Sequence, residues 1–376
     1  MDNNSKIYLD YNATCPPREK IIDNVKELLS QPLNPSSIHY NGRLARNIIE
    51  ESRKKISNFV DANNNDYNLI FTASGTEATN LALRGLKNHY KQDLSFITSN
   101  VEHSATLNTL KELSKNIIFI KIDEKGYINL TQLEQEFSNI KPPFLLSIIY
   151  AHNESGIIQP IKEISEITHK YGGILHIDAV QALGKIHFSL SELNIDMASL
   201  SGHKVGGIIG AGALIYKNNI KLLPIITGGG QEFNIRAGTE NLAAIQSFAM
   251  ATQMINDNEL DKIKELRDYL EQTLQNICTD VIIVGKNSER LGNSSLIITP
   301  NINAEAQLIQ FDMAGIMISR GSACTSGTIK PNENLLNMGY SKELADCAIR
   351  VSIGYNTTKN EIDKFIEIWK NVKNGI

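Results

Sequence analysis

The stretch Ser201-Gly202-His203-Lys204-Val205-Gly206-Gly207, taken with Leu175-His176-Ile177-Asp178-Ala179-Val180-Gln181 before it, decides the fold. The distance between the two fits one strand-to-strand unit. An apolar strand ending in Asp178, then a Gly-rich loop carrying Lys204, puts both side chains at strand ends, where open α/β sheets present their ligands. A carboxylate, an amide three residues on and an amine in the following loop are what pyridoxal phosphate needs. The amine of Lys204 forms the Schiff base. Asp178 pairs with the protonated pyridine nitrogen, and Gln181 hydrogen-bonds the phenolic oxygen. Alone, Lys204 reads as a solvated surface lysine and Asp178 as a turn or cap residue. Together they point to an enzyme acting on an amino acid.

Two further segments agree. In Leu69-Ile70-Phe71-Thr72-Ala73-Ser74-Gly75-Thr76-Glu77-Ala78 an apolar strand runs through a small-residue turn into a helix. Free amides at a helix N-terminus bind phosphate, Gly75 permits close backbone approach, and the Thr76 hydroxyl adds a bond. A capping box, Ser74 with Glu77, explains the same residues structurally, and the two readings are compatible. In Phe96-Ile97-Thr98-Ser99-Asn100-Val101-Glu102-His103 a histidine lies just beyond a strand, placed to lie over a cofactor ring and move protons.

With Tyr8-Leu9-Asp10-Tyr11-Asn12-Ala13-Thr14, Asn34-Pro35-Ser36-Ser37, Asn153-Glu154, Gly228-Gly229-Gly230-Gln231-Glu232, Arg236 to Asn241 and Gly321-Ser322-Ala323-Cys324-Thr325-Ser326, these motifs span nearly the whole chain. The sequence resembles the NifS/IscS-type cysteine desulfurases of the class V aminotransferase group. The Ser-Ala-Cys-Thr-Ser run resembles the group I branch, whose cysteine rides on a long mobile loop. The resemblance implies pyridoxal-phosphate fold type I, an α/β architecture. A large domain (14–255) would hold a mainly parallel seven-stranded sheet. A smaller α+β domain (1–13 and 256–376) would carry the reactive cysteine.

The resemblance also assigns roles. Lys204 holds pyridoxal 5'-phosphate, with Asp178, Gln181 and Asn153 on its ring. His103 stacks on that ring and serves in acid/base steps. Gly75, Thr76, Ser201 and His203 sit at the phosphate, and Thr239 reaches the phosphate of the neighbouring subunit, which implies a homodimer. Asn34, Asn153 and Arg350 bind the substrate; a planar guanidinium recognises a carboxylate with two parallel bonds. Cys324 takes the sulfur of L-cysteine as a persulfide, leaving L-alanine, and passes it to an acceptor protein such as an iron–sulfur scaffold or a thiolation factor. No metal site is expected; Cys324 is the one residue expected to touch an iron–sulfur cluster, during transfer. Rival readings are a selenocysteine lyase, an aminotransferase (which has no need of Cys324) and a non-catalytic relative.

Whole-chain properties exclude other classes. The 376 residues are 41% hydrophobic and 21% charged, as in a globular protein, and suffice for a large and a smaller domain. A net charge of −4 without a dense basic run gives nucleic acid and acidic membranes no support. The longest apolar runs fall short of a spanning helix, and the first residues lack a signal-peptide pattern. Four scattered cysteines make no disulfide framework, so a cytoplasmic location is expected, with Cys15, Cys278 and Cys347 structural.

Strands are expected at 69–72, 96–99, 117–122, 145–150, 175–177, 197–199 and 211–216. Helices are expected at 42–60, 76–91 and 161–171. A long polar helix follows at 252–276, which Asn256–Asn258 break or delay. Strands at 281–284, 294–298 and 349–353 then belong to the smaller domain.

Departures from the family stand at several places. Gly206-Gly207-Ile208-Ile209-Gly210 replaces a Gly-Pro-Lys-Gly run, and His152 replaces an asparagine. Arg320 brings a cation near the reactive thiol, to lower its pKa, to attract an anionic acceptor, or simply as a solvated loop charge. The sequence stops at Ile376, without the longer tail on which relatives dock a scaffold, so the acceptor stays open.

Overall fold

The computed structural model describes residues 6–62, 65–320 and 332–375. Its strands, in chain order, are β1 (Ile7–Tyr8), β2 (Tyr67–Thr72), β3 (Ser95–Ser99), β4 (Ile117–Ile120), β5 (Phe144–Ile149), β6 (Ile174–Asp178), β7 (Met197–Ser201), β8 (Gly212–Lys217), β9 (Ile282–Ile283), β10 (Ser294–Ile298), β11 (Ile316–Met317), β12 (Ser319–Arg320) and β13 (Ala348–Ser352). The helices are α1 (Glu19–Leu29), α2 (Tyr40–Phe59), α3 (Gly75–Tyr90), α4 (Ser104–Leu113), α5 (Leu130–Ser138), α6 (Ile161–Lys170), α7 (Leu242–Gln253), α8 (Asp257–Ile277), α9 (Ala304–Met313), α10 (Glu333–Asn337), α11 (Lys342–Ala345) and α12 (Lys359–Asn374).

Seven strands form the central sheet in the order β2-β8-β7-β6-β5-β3-β4. The run from β7 to β4 is parallel; β8 lies antiparallel to both β7 and β2. The sheet is therefore mainly parallel, as the alternation of strands and helices implies. Strand β5 shows why: every residue of Phe-Leu-Leu-Ser-Ile-Ile is buried, the composition a strand needs when helices cover both faces. The chain passes from β3 outward to β4 and returns to β5 on the other side. The order thus reverses between β3 and β5, and a crevice opens at their C-terminal ends. Because β2 and β7 both oppose β8, they run the same way, and the turns that follow them emerge on that same edge.

A second sheet, β12-β13-β10-β9, is antiparallel, and β1 pairs with β11 in parallel. Helix α12 covers its core. Thr358 and Glu361 close a capping box at its start, and Ile362, Phe365, Ile366, Trp369 and Val372 make one buried stripe. Phe365 stacks on Phe311 with ring centroids 4.6 Å apart. The Trp369 indole N–H donates to Thr299 Oγ1 at 3.0 Å, so the largest side chain of this core is buried without an orphaned donor.

The polar run that begins at Asn256 delays the expected long helix, which starts at Asp257. Helix α7 ends at Gln253, and Asn256 caps α8 by accepting from the Glu259 amide at 3.1 Å. No described helix is long and apolar enough to cross a membrane.

Trp369→Ala should remove that anchor and leave a cavity, costing about 3–5 kcal/mol. Urea unfolding followed by circular dichroism measures this as a lower midpoint.

Candidate active site

Four strand ends meet at the crevice. After β2, Ser74 caps α3 with its hydroxyl accepting from the Glu77 amide at 3.1 Å. The reciprocal half of a capping box is absent: the Glu77 carboxylate takes the Ala73 amide at 2.9 Å and pairs with Arg236 at 2.8 Å. This turn lies so close to β8 that a Cβ on Gly212 would stand 2.4 Å from the Ser74 carbonyl carbon. Gly75 is nearly as confined, 2.8 Å from Val180. Glycine at both positions leaves the helix amides accessible to an anion.

At the end of β6, Asp178 is buried and accepts from the Val180 amide at 3.0 Å. Burial pushes its carboxyl above the usual range, while His103, that amide and Lys204 pull it back. After β7, one short helical turn carries Lys204. Its Nζ donates to the carbonyls of Asn12 at 2.7 Å and Ala13 at 2.9 Å. His103, after β3, caps α4, its Nδ1 accepting from Ala105 at 3.1 Å, which leaves the ring proton on Nε2. His203 faces the Thr14 hydroxyl at 3.2 Å, and burial with the Lys204 cation pushes it down to about 4.

A cavity of about 310 Å³ joins these groups. Gly75, Thr76, His103, Asn153, Asp178, Gln181, Ser201, His203, Lys204 and Arg350 all line it. Arg350 is the contribution of the second sheet. It is buried in β13, its Nη2 paired with Asp10 and its Nη1 donating to the Asn153 carbonyl at 3.0 Å. Its Nε is a buried donor without a partner.

Two expected residues are not brought to the cavity in this chain. Asn34 is exposed, its side chain accepting from the Ser36 amide at 2.9 Å, and Thr239 is exposed elsewhere. Cys324 lies outside the described residues. Arg320, half-buried in β12, pairs with Asp346 at 3.2 Å. His152 is buried, accepts from the amides of Glu154 and Ser155, and is pushed down to about 4 by burial. Cys278 and Cys347 are buried; Cys15 is half-buried, and burial pushes its thiol up to about 11. Among the described residues no group of three or more His, Cys, Asp or Glu is arranged to hold a metal.

Sequence reasoning gave no role to three residues that organise the site. Asn12 is buried and bonds to both halves of the protein: its amide donates to the Asn153 carbonyl at 3.1 Å and to Ser294 Oγ at 2.5 Å. Lys185, four residues after Gln181, donates to Asn12 Oδ1 at 2.7 Å and to Gln181 Oε1. Glu154 is buried, and one of its oxygens accepts from Asn332 at 2.8 Å and Asn334 at 3.0 Å. The i, i+4 spacing of Gln181 and Lys185 is the signal that was available for one of them.

Comparison with known proteins places this architecture. Residues 7–365 match the family of class-V aminotransferases. The cysteine desulfurase IscS of Dictyoglomus turgidum is 36% identical over 375 residues, covering 98% of this chain and 94% of that one. The X-ray structure of a NifS-like protein from Rickettsia africae superposes with a TM-score of 0.89 at 38% identity, covering 98% of this chain and 99% of that one. A structure of SspA in complex with cysteine gives 0.80 at 27% identity, covering 94% and 100%.

Burial pushes the Glu154 carboxyl up to about 7, against the pull of Asn334, Asn332 and Arg350. An acid whose pKa rises on folding stabilises the fold at low pH and loses that contribution as pH climbs through the folded value. From about pH 5 to about pH 8 the wild type should lose on the order of 2–3 kcal/mol that Glu154→Gln does not lose. Unfolding midpoints of the two proteins across that range check it.

Proposed function

The chain belongs to the class-V aminotransferase family, and on that premise we propose that it is a cysteine desulfurase dependent on pyridoxal 5'-phosphate. The observation that carries this reading is that Lys204, Asp178, Gln181, His103 and Arg350, from both sheets, line one cavity. The residues fit the cofactor. Gly75 lines the cavity at the start of α3, where a Cβ would press on Val180, and Gly212 lets that turn pack against β8; the donor set supplies an amine, a carboxylate and an amide for the ring. When bound, pyridoxal phosphate supplies an electron sink for the pair left by loss of the substrate α-proton.

The protein's own groups do the rest. Lys204 holds the cofactor, and its amine then takes the α-proton of L-cysteine. Asp178 holds the charge on the pyridine nitrogen; its buried setting strengthens that pairing. Gln181 and Asn153 face the phenolic side. Thr76, Ser201, His203 and the amides around Gly75 take the phosphate. His103, which lines the cavity, would face the cofactor and move protons through Nε2. The unpartnered Arg350 Nε, held in orientation by Asp10, meets the substrate carboxylate.

Cys324 takes the sulfur: its thiolate attacks the sulfur of L-cysteine, the C–S bond breaks, and carbon is protonated. A persulfide on Cys324 and L-alanine result. The persulfide passes to an acceptor protein of the iron–sulfur scaffold or thiolation type. Residues 14–255 and the pair 1–13 with 256–376 are read as two domains, a division supported by their largely separate hydrophobic clusters. A homodimer is supported by the exposed position of Thr239, away from its own cavity. A reducing cytoplasm suits the working thiol.

Purified protein should release L-alanine and sulfide from L-cysteine plus a reductant, with no keto acid required. Lys204→Ala should lose turnover and the borohydride-fixed cofactor. Cys324→Ser should keep the cofactor and bind L-cysteine without forming a persulfide. Alanine production that depends on a keto acid, or persulfide on another cysteine, would overturn the reading.

Arg350→Ala should retain cofactor and lose about 2–4 kcal/mol of transition-state stabilisation, roughly 30- to 1000-fold in kcat/KM. Lysine at this position should restore part of it, because a point charge does not reproduce the planar fork. Steady-state kinetics with L-cysteine measure both.

A further inference from the structure

A second, half-buried amine stands beside Lys204. The Lys185 Nζ donates to Asn12 Oδ1 at 2.7 Å and to Gln181 Oε1, while Gln181 Nε2 donates to the Asn12 carbonyl at 2.9 Å. The oxygen and nitrogen ends of an amide are nearly equal in shape, so packing alone does not decide which faces a cavity. Hydrogen bonding decides it. In these bonds Lys185 acts as donor, so both amides turn their oxygens toward it. The NH2 of Gln181 is thereby turned to the other side. Asn12 Oδ1 is held a second time by Asn293 at 3.0 Å; Lys185 is the partner described for the Gln181 oxygen.

Keeping an amine here is costly. Burial and the cations of Lys204 and Arg350 drive Lys185 well below the usual ammonium range, with Cys15 opposing them. A methionine would fill the same volume without that penalty.

We propose that Lys185 is a positioning residue that fixes the Gln181 amide with its NH2 toward the cofactor's phenolic oxygen, so that the site presents a donor and not an acceptor there. The inference rests on the cofactor assignment above. A flipped Gln181 would set its oxygen against the Asn12 carbonyl and against a phenolate, two acceptor contacts in place of two donor ones. A donor on the phenolic oxygen withdraws charge from the neighbouring nitrogen linked through Lys204 and makes it less basic.

A double-mutant cycle tests this on the visible absorbance of the cofactor-loaded protein, titrated with pH. Gln181→Ala and Lys185→Met should each raise the transition, by about one pH unit. In the Gln181→Ala background, Lys185→Met should add little further shift. Lys185→Gln serves if the methionine variant does not fold; its amide both donates and accepts, so its shift should run the same way and be smaller. An equal shift in both backgrounds would show that Lys185 acts as a charge on Lys204 and overturn the proposal. So would an unchanged transition in both Lys185 variants. A wild-type protein without a cofactor band would overturn the functional reading itself, and this inference with it.

Discussion

The buried amide of Asn12 is the contact on which the site depends. Its backbone N–H donates to Ser352 Oγ at the end of β13, and its carbonyl accepts from Lys204 and Gln181. Its side chain bonds Ser294 on β10, Asn153 after β5, Asn293 and Lys185. Every polar atom of this residue is thus committed, half to one sheet and half to the other. A buried polar group fully satisfied in this way rigidifies what it touches; partly satisfied, it would cost as much as it now contributes. The second sheet brings Arg350 to the cavity, and Asn12 fixes where that sheet stands relative to Lys204 and Gln181.

The site's electrostatics follow from burial. Asp178, Glu102 and Glu154 all have carboxyls pushed up, and His152 and His176 are held neutral, His176 between the hydroxyls of Ser147 and Ser199 at 2.8 Å each. The Glu102 carboxyl accepts from Ser99 at 2.6 Å, close enough to Asp178 to feel its charge. Desolvation is the leading cause in every case. Of these groups Asp178 is the one that lines the cavity, and a cation brought to it meets a buried carboxyl with little competition from water.

Much of the sheet was legible because its strands are short apolar runs that end in small or polar residues. Lys204, Asp178, Gln181 and His103 stand where those runs end, so locating the strands located them. The break between α7 and α8 needed the caps: a polar run signals a stop or a kink equally well until Asn256 is seen accepting from Glu259. Asn12 and Glu154 stayed silent for another reason. Their importance lies in partners far away in the chain, such as Ser352 for Asn12 and Asn332 for Glu154, and periodicity reports only near neighbours. Arg350 was placed on a strand of the smaller domain, but its pairing with Asp10 and its idle Nε are properties of the assembled pair of sheets.

The span of the Asn12–Ser352 bond also bears on how the protein is made. The two residues are 340 positions apart, and β1 waits for β11 in the same way. During synthesis the central sheet can form long before residue 352 leaves the ribosome, since its last strand ends at Lys217. Until then the N-terminal segment lacks its partners in the second half, Ser294, Asn293 and Ser352, so Asn12 is only half satisfied. The loop-closure entropy of so long a span is recovered only when the final strands arrive. A nascent or truncated chain would thus carry a folded sheet with an unfinished cavity, so assembly of the site reports that translation has reached β13.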